Sequence, residues 1–170
     1  MSPTKGSTRS RATATDDSAA RAARGAGRAI ARLAKHLEHG LAPVDLSVPQ
    51  YRVMALLAGG PAASSWLADR LTVSPPSVTA VVDGLVARDL VVRTPDPSDR
   101  RRLNLELTDA GRLLLVAADD SVNERLAQIA AHFADRDAGD AVHDLEDWHD
   151  ALDAYRDERQ REMKAGTTPA

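Results

Sequence analysis

The sequence predicts a mainly helical fold with one small two-stranded hairpin set into its middle. Three observations carry that expectation. Apolar residues recur at three- and four-residue steps through most of the chain. The period drops to two only after Asp89. Gly, Pro, Ser and Asp cluster where one element should hand over to the next. The 170 residues suit one compact domain with appended helices. Aromatic residues make up 3% of the chain, so Ala, Leu and Val must fill the core. There is no cysteine, which excludes disulfides, thiolate metal sites and thiol nucleophiles.

Residues 1–15 are Ser, Thr, Gly and Arg in no periodic order, the composition of a disordered basic tail. No apolar run approaches the ~20 residues that span a bilayer, and the start lacks the apolar stretch of a leader, so a cytoplasmic protein without membrane contact is expected. Residues 16–45 hold the first helix, because Ala22, Ala26, Ala29, Ile30, Leu33, Leu37 and Leu41 keep helical spacing. Ser47 with Gln50 has the form of a capping box, and Tyr51, Met54 and Leu57 continue a short second helix. After Gly59-Gly60-Pro61, a third begins near Ser64 or Ser65 and buries Leu67, Ala68 and Leu71. Ser74 is an N-cap and Pro75 a first helical residue. In the fourth helix Val78, Val81, Val82 and Leu85 form one apolar stripe, which leaves Pro76, Ser77, Thr79, Ala80 and Asp83 outward.

The hairpin follows. Leu90-Val91-Val92-Arg93 reads as a strand, Thr94-Pro95-Asp96-Pro97-Ser98-Asp99 as a turn, and Leu103, Leu105 and Leu107 alternate with Arg102, Asn104 and Glu106. Residues 46–107 therefore form the central unit. Residues 108–160 should supply two more helices, one capped by Thr108 or Asp109 and one carrying Val142, Leu145, Trp148, Leu152 and Tyr155 among many acids. Residues 161–170 should fray into a disordered tail.

Charge is segregated along the chain, although the net is only −3. Residues 1–35 hold eight Lys or Arg against Asp16 and Asp17, whereas residues 135–162 hold eleven acids against four Arg. Arg88, Arg93, Arg100, Arg101, Arg102 and Arg112 form a second basic group around the hairpin. Two short helices joined by a tight turn and followed by a basic hairpin describe a winged helix-turn-helix. A helix with a small, polar outer face fits the DNA major groove, and a cationic hairpin suits the phosphates or minor groove beside it. The residues expected at double-stranded DNA are Ser74, Pro76, Ser77, Thr79, Ala80, Asp83, Arg100, Arg101 and Arg102.

Leu67-Ala68, Val73-Ser74, Val78-Thr79, Val82-Asp83, Leu85, Leu90-Val91, Arg93, Asp96, Asp99-Arg100-Arg101 and Leu107-Thr108-Asp109-Ala110-Gly111 together resemble the signature of the MarR family of transcriptional regulators. The resemblance implies a homodimer joined by helices from both chain ends and a wing braced by Asp99 and Arg101. It also implies, most often, a repressor released from a near-palindromic operator by a small-molecule effector, commonly aromatic or anionic. Arg32, His36, His39, Tyr51 and Arg52, near the junction of the first two helices, are the expected effector contacts. Two rival readings keep the fold: DNA binding without an effector, and a protein-interaction adaptor that no longer binds DNA.

The sequence departs from the family pattern at three places. Ala80 stands where a basic residue is common, so the recognition helix lacks an Arg for bidentate guanine contact. Asp89 occupies a turn position usually held by Gly, which Asp tolerates better than most residues. Trp66 replaces a residue that is often acidic, and its ring should be covered by a neighbouring helix. No catalytic constellation, phosphate loop or cofactor motif is visible, and His36 and His39 lack a matching ligand cluster, so neither enzyme activity nor a metal is expected.

Overall fold

The computed structural model describes residues 8–97, 99, 101–134 and 137–166. Helix α1 spans Thr8–Leu41 and runs through a single 3-10 turn at Ala42–Val44 into α2, Val48–Leu57. A two-residue strand β1 (Ala62–Ala63) leads into α3 (Ser64–Leu71), then α4 (Pro75–Ala87), β2 (Val91–Pro95) and β3 (Leu103–Leu107). Two helices close the chain, α5 (Asp109–Ala130) and α6 (Ala138–Gly166). The fold is mainly helical with a winged helix-turn-helix at its centre.

Local chemistry explains most boundaries. Ser47 and Gln50 form the reciprocal capping box: the Ser47 hydroxyl accepts from the Gln50 N–H, and the Gln50 amide oxygen accepts from the Ser47 N–H at 3.0 Å. Ser74 caps α4, and Thr108 caps α5. The turn between α3 and α4 closes with Thr72 at φ 55°, a left-handed conformation that is costly for a β-branched residue. Asp89 is also left-handed, at φ 56°, as its position in a turn normally held by Gly requires.

Four expectations need correction. α1 begins at Thr8, well before residue 16, because Arg9, Arg11, Ala12 and Ala14 are good helix formers and extending an existing helix costs little. α6 likewise runs past residue 160 to Gly166. The hairpin gains a third strand: the sheet order is β1-β3-β2, antiparallel throughout, with Ala62 opposite Leu105 and Val91 opposite Leu107. Two alanines carry no alternation, so β1 had no signature in the sequence. Trp66 is not covered but 45% exposed, its ring met by the Arg70 guanidinium at 5.7 Å rather than by a helix.

The core is aliphatic as composition demands. Val78, Val82 and Leu85 of α4 pack with Val53, Met54 and Leu57 of α2 and with Leu67, Val91 and Leu105, all fully buried. α5 joins this core through Leu115, Ala118 and Val122. Gly40 lets α1 approach α5 closely, since a Cβ there would lie 3.2 Å from the Val122 Cα, and the Ser121 hydroxyl donates to the Gly40 carbonyl at 2.6 Å. By contrast Ile30, Leu113, Val116, Leu145, Trp148, Leu152 and Tyr155 remain exposed on α1, α5 and α6.

The start of α5 is clamped to the end of the helix-turn-helix. Thr108 donates its hydroxyl to the Asp89 carbonyl at 2.7 Å and its N–H to the Leu90 carbonyl at 3.1 Å. A Cβ on Gly111 would lie 2.1 Å from that same Leu90 oxygen. Gly111→Ala should therefore lower stability by about 3 kcal/mol or more, because backbone must shift to relieve the overlap. Gly84→Ala, whose Cβ would meet only Gln50 at 3.6 Å, should be neutral or stabilising by up to ~1 kcal/mol. Denaturant titration of both variants checks the contrast.

Candidate nucleic-acid interface

The outward face of α4 is built by the burial of its other side. With Val78, Val82 and Leu85 inside, Ser74, Pro76, Ser77, Thr79, Ala80 and Asp83 lie on the opposite side, as their spacing requires. The hydroxyls are already engaged. Ser74 and Ser77 share a hydrogen bond at 2.8 Å, and Thr79 donates to the Pro75 carbonyl at 3.1 Å. Thr79 therefore turns an acceptor oxygen and a methyl group outward. The first two helical residues are Pro75 and Pro76, which have no N–H, and the Ser77 N–H is held by Ser74. An ordinary helix start offers free N–H donors to an anion, but this one does not.

Asp83 would oppose phosphate, yet it is ion-paired to Arg93 of β2. The sequence alone did not pair them, because the bridge joins a helix face to a strand and only the fold brings the two together. Arg88 similarly braces the end of α4 by donating to the Asp45 carbonyl at 2.7 Å.

The wing tip is organised by carboxylates. Asp96 accepts from the Asp99 N–H at 3.1 Å and from the Asn104 amide at 2.9 Å, while Asp99 accepts from the Arg101 N–H at 3.1 Å. The expected brace between Asp99 and Arg101 is thus made through the Arg101 backbone. The Asp99 side chain instead lies 3.6 Å from the Arg102 Nε. A two-residue reach suits the backbone N–H of a tight Asx turn better than a long guanidinium. Arg101 and Arg102 are exposed, and Arg100 lies outside the described residues. Asp96 and Asn104 are bracing residues that sequence reasoning missed; an Asp-Pro pair opening a turn was the available signal.

The five residues expected around an effector do not converge. Tyr51 and Arg52 are consecutive on α2 and so point about 100° apart. The Tyr51 hydroxyl donates to Asp119 of α5 at 2.7 Å. Arg52 instead borders a mainly apolar cavity of about 180 Å³ between α2 and α4, with Val53, Leu71, Val73, Ser77, Val78 and Val81. His39 faces a separate groove of about 350 Å³ between α1 and α5, lined also by Ser121, Glu124, Arg125 and Gln128. The rings of His36 and His39 lie 6.2 Å apart, and the buried Nδ1 of His36 has no partner. Arg32 is exposed on α1. Among the described residues no three His, Asp or Glu side chains are placed to hold a metal ion, and no helix is long and apolar enough to cross a membrane.

Burial and the neighbouring Asp119 push the Tyr51 hydroxyl well above its ordinary value near 10. A group whose folded pKa is raised contributes stability that is complete below its unfolded pKa. It is lost as pH climbs from about 10 toward the folded value. Wild-type stability should accordingly fall above pH 10, and Tyr51→Phe should be less stable at neutral pH but decline less steeply in alkali. Thermal unfolding across pH 7–11 measures both slopes.

A family model described as MarR family matches residues 44–102, the span from α2 to the wing. The chain is 37% identical over 75 residues to the HTH-type transcriptional repressor NicR of Pseudomonas putida, covering 44% of this chain and 48% of NicR. It thus spans about half the length of that relative. It is 33% identical over 113 residues to the uncharacterized HTH-type transcriptional regulator Mb0904 of Mycobacterium bovis, covering 66% of this chain and 79% of the other. The transcriptional repressor CouR bound to a 23-mer DNA duplex shares the fold at a TM-score of 0.60 and 35% identity, over 71% of this chain and 86% of CouR. CouR from Rhodococcus jostii RHA1 bound to p-coumaroyl-CoA matches at a TM-score of 0.61 and 27% identity, over 76% of this chain and 87% of that one.

Proposed function

Since the chain belongs to the MarR family of transcriptional regulators, we propose that it is a homodimeric DNA-binding repressor released from a near-palindromic operator by a small-molecule effector. The observation that carries this reading is that α4 exposes Ser77, Thr79 and Ala80, that Asp83 of the same face is ion-paired to Arg93 of the wing, and that the wing exposes Arg101 and Arg102. The likeness to CouR on a DNA duplex supports it. In this reading α4 enters the major groove and the wing lies along phosphate or minor groove. It acts in the cytoplasm, on chromosomal DNA, without cofactor or catalysis.

Readout is divided between the two elements. The α4 face carries no Lys or Arg, its N-terminus lacks free N–H groups, and Asp83 is neutralised by Arg93, so attraction for phosphate rests on the wing. Thr79 offers an acceptor to an exocyclic amine and a methyl to thymine. The exposed apolar rows on α1, α5 and α6 are the surfaces on which a second copy would close, placing two α4 helices on one two-fold axis. An effector would act by favouring a different separation of those helices. The likeness to CouR bound to p-coumaroyl-CoA supports a ligand-responsive regulator, with Arg32, His36, His39, Tyr51 and Arg52 as the residues to test first.

Titration of operator and scrambled duplexes at several salt concentrations tests the division. Arg102→Ala should weaken both duplexes and reduce the slope of log K against log salt by ~0.9 for each phosphate no longer neutralised. Ser77→Ala or Thr79→Val should change sequence preference by ~1–3 kcal/mol at one base pair and leave that slope alone. Wing variants that bind like the parent would defeat the reading. Absence of salt-dependent duplex binding altogether would favour the adaptor.

Leu152→Glu combined with Tyr155→Glu should give monomers by sedimentation and weaken operator binding, because charge would enter the surface proposed to meet the second copy. A variant that remains dimeric places the dimer interface elsewhere.

A further inference from the structure

Arg70, in the last turn of α3, reaches across to α6. Its Nη2 lies 3.1 Å from Asp153 and its Nη1 lies 3.2 Å from Asp157, two carboxylates one helical turn apart. The side chain is only 19% exposed. Its guanidinium sits 5.7 Å from the centre of the Trp66 ring, one turn earlier on α3. Arg156 joins the far side of Asp153 at 2.7 Å. An exposed pair would contribute little, but a shielded guanidinium that stacks on an aromatic ring and divides its nitrogens between two acids is geometrically specified.

We propose that Arg70, Asp153 and Asp157 form a latch that sets the angle of the DNA-binding lobe against α6, with Arg70 as a positioning residue; the proposal rests on the DNA-binding reading above. α3 is joined to α4 by only Thr72, Val73 and Ser74, and Thr72 is fixed in a left-handed conformation, so a tilt of α3 is passed to α4. The attachment has one side that needs the other. Without Arg70, Asp157 would lose its guanidinium and Asp153 would keep only Arg156 of its own helix, so the C-terminal half of α6 would draw away from α3. In a dimer closed by its terminal helices, α6 is the element tied to the two-fold axis. The latch therefore bears on the separation of the two recognition helices.

Amide hydrogen exchange on the full-length protein reads the latch directly. Arg70→Met should raise exchange across residues 150–158 by about tenfold and leave the buried amides of α2 and α4 unchanged. Asp153→Asn with Asp157→Asn, which leaves α3 intact should Arg70→Met fold poorly, should do the same, and combining all three should add nothing further. A second readout isolates positioning. On an operator selected with the wild type, the latch variants should lose the preference for the native half-site separation over one altered by a single base pair. Their salt slope should stay unchanged, because the wing arginines are untouched. Unchanged exchange in both neutral variants overturns the latch. Faster exchange with full spacing preference overturns the positioning role. If the wild type binds no duplex, the DNA reading fails and the positioning role with it, while the exchange result still decides the latch.

Discussion

The burial of one side of α4 is the constraint on which the rest of the molecule depends. Val78, Val82 and Leu85 have almost no exposed surface, and burying each is worth about 1.5–3 kcal/mol. That energy fixes the rotation of α4 about its axis. It leaves no freedom over which residues point outward: Ser77, Thr79, Ala80 and Asp83 are external because the stripe between them is not. Packing against α2 from one side and the sheet from the other also fixes how far the wing stands from the helix. The proposed DNA surface is thus a by-product of core packing, and substitutions on it can alter recognition without altering the fold.

An acidic protein with a DNA-facing surface must solve its electrostatics locally. The net charge of −3 says little, because Debye screening at physiological salt confines each charge to about 8 Å. What matters is the distribution around α4. There the Pro-Pro start withholds the N–H donors, Arg93 cancels Asp83, and exposed Arg101 and Arg102 stand on the wing. In the proposed reading the attraction around α4 therefore falls to one hairpin tip, whose shape is held by Asp96 and Asp99 through backbone and amide hydrogen bonds. The same two carboxylates reduce the field of the tip while giving it form.

What was legible in the sequence follows the range of the interaction responsible. Ser47 with Gln50, Ser74 with Pro75 and the alternation of Leu103, Leu105 and Leu107 are contacts within a few residues, and each appears in the structure where its spacing placed it. β1 was invisible because its two alanines acquire a strand conformation only by pairing with β3. Trp66 is exposed for a related reason: its surroundings are set by Arg70, whose own position depends on acids more than eighty residues later. The Asp83–Arg93 pair lay within ten residues yet was also missed, since it crosses from helix to strand. The residues expected around an effector are dispersed for a different reason: Tyr51 and Arg52 are neighbours in sequence, but α2 turns Tyr51 toward α5 and Arg52 toward α4.

That split has its own consequence for how a ligand could act. Tyr51 ties α2 to α5, the helix that follows the wing, while Arg52 borders a cavity whose other wall is α4 itself. A molecule entering near Arg52 would press between the scaffold helix and the recognition helix. One entering near His39 would press between α1 and α5. The first displaces α4 within its lobe; the second moves the lobe as a body. A ligand shifts an equilibrium only by its differential affinity for the two arrangements, so these routes make different demands. The Arg52 route must overcome the buried stripe of α4, several kcal/mol of close packing. The His39 route meets a groove bordered by Glu124, Arg125 and Gln128, where polar side chains can rearrange at little cost. In the proposed dimer, a ligand taking that route would have only to respect the Ser121–Gly40 hydrogen bond that holds α1 to α5, and the packing of α4 would stay intact.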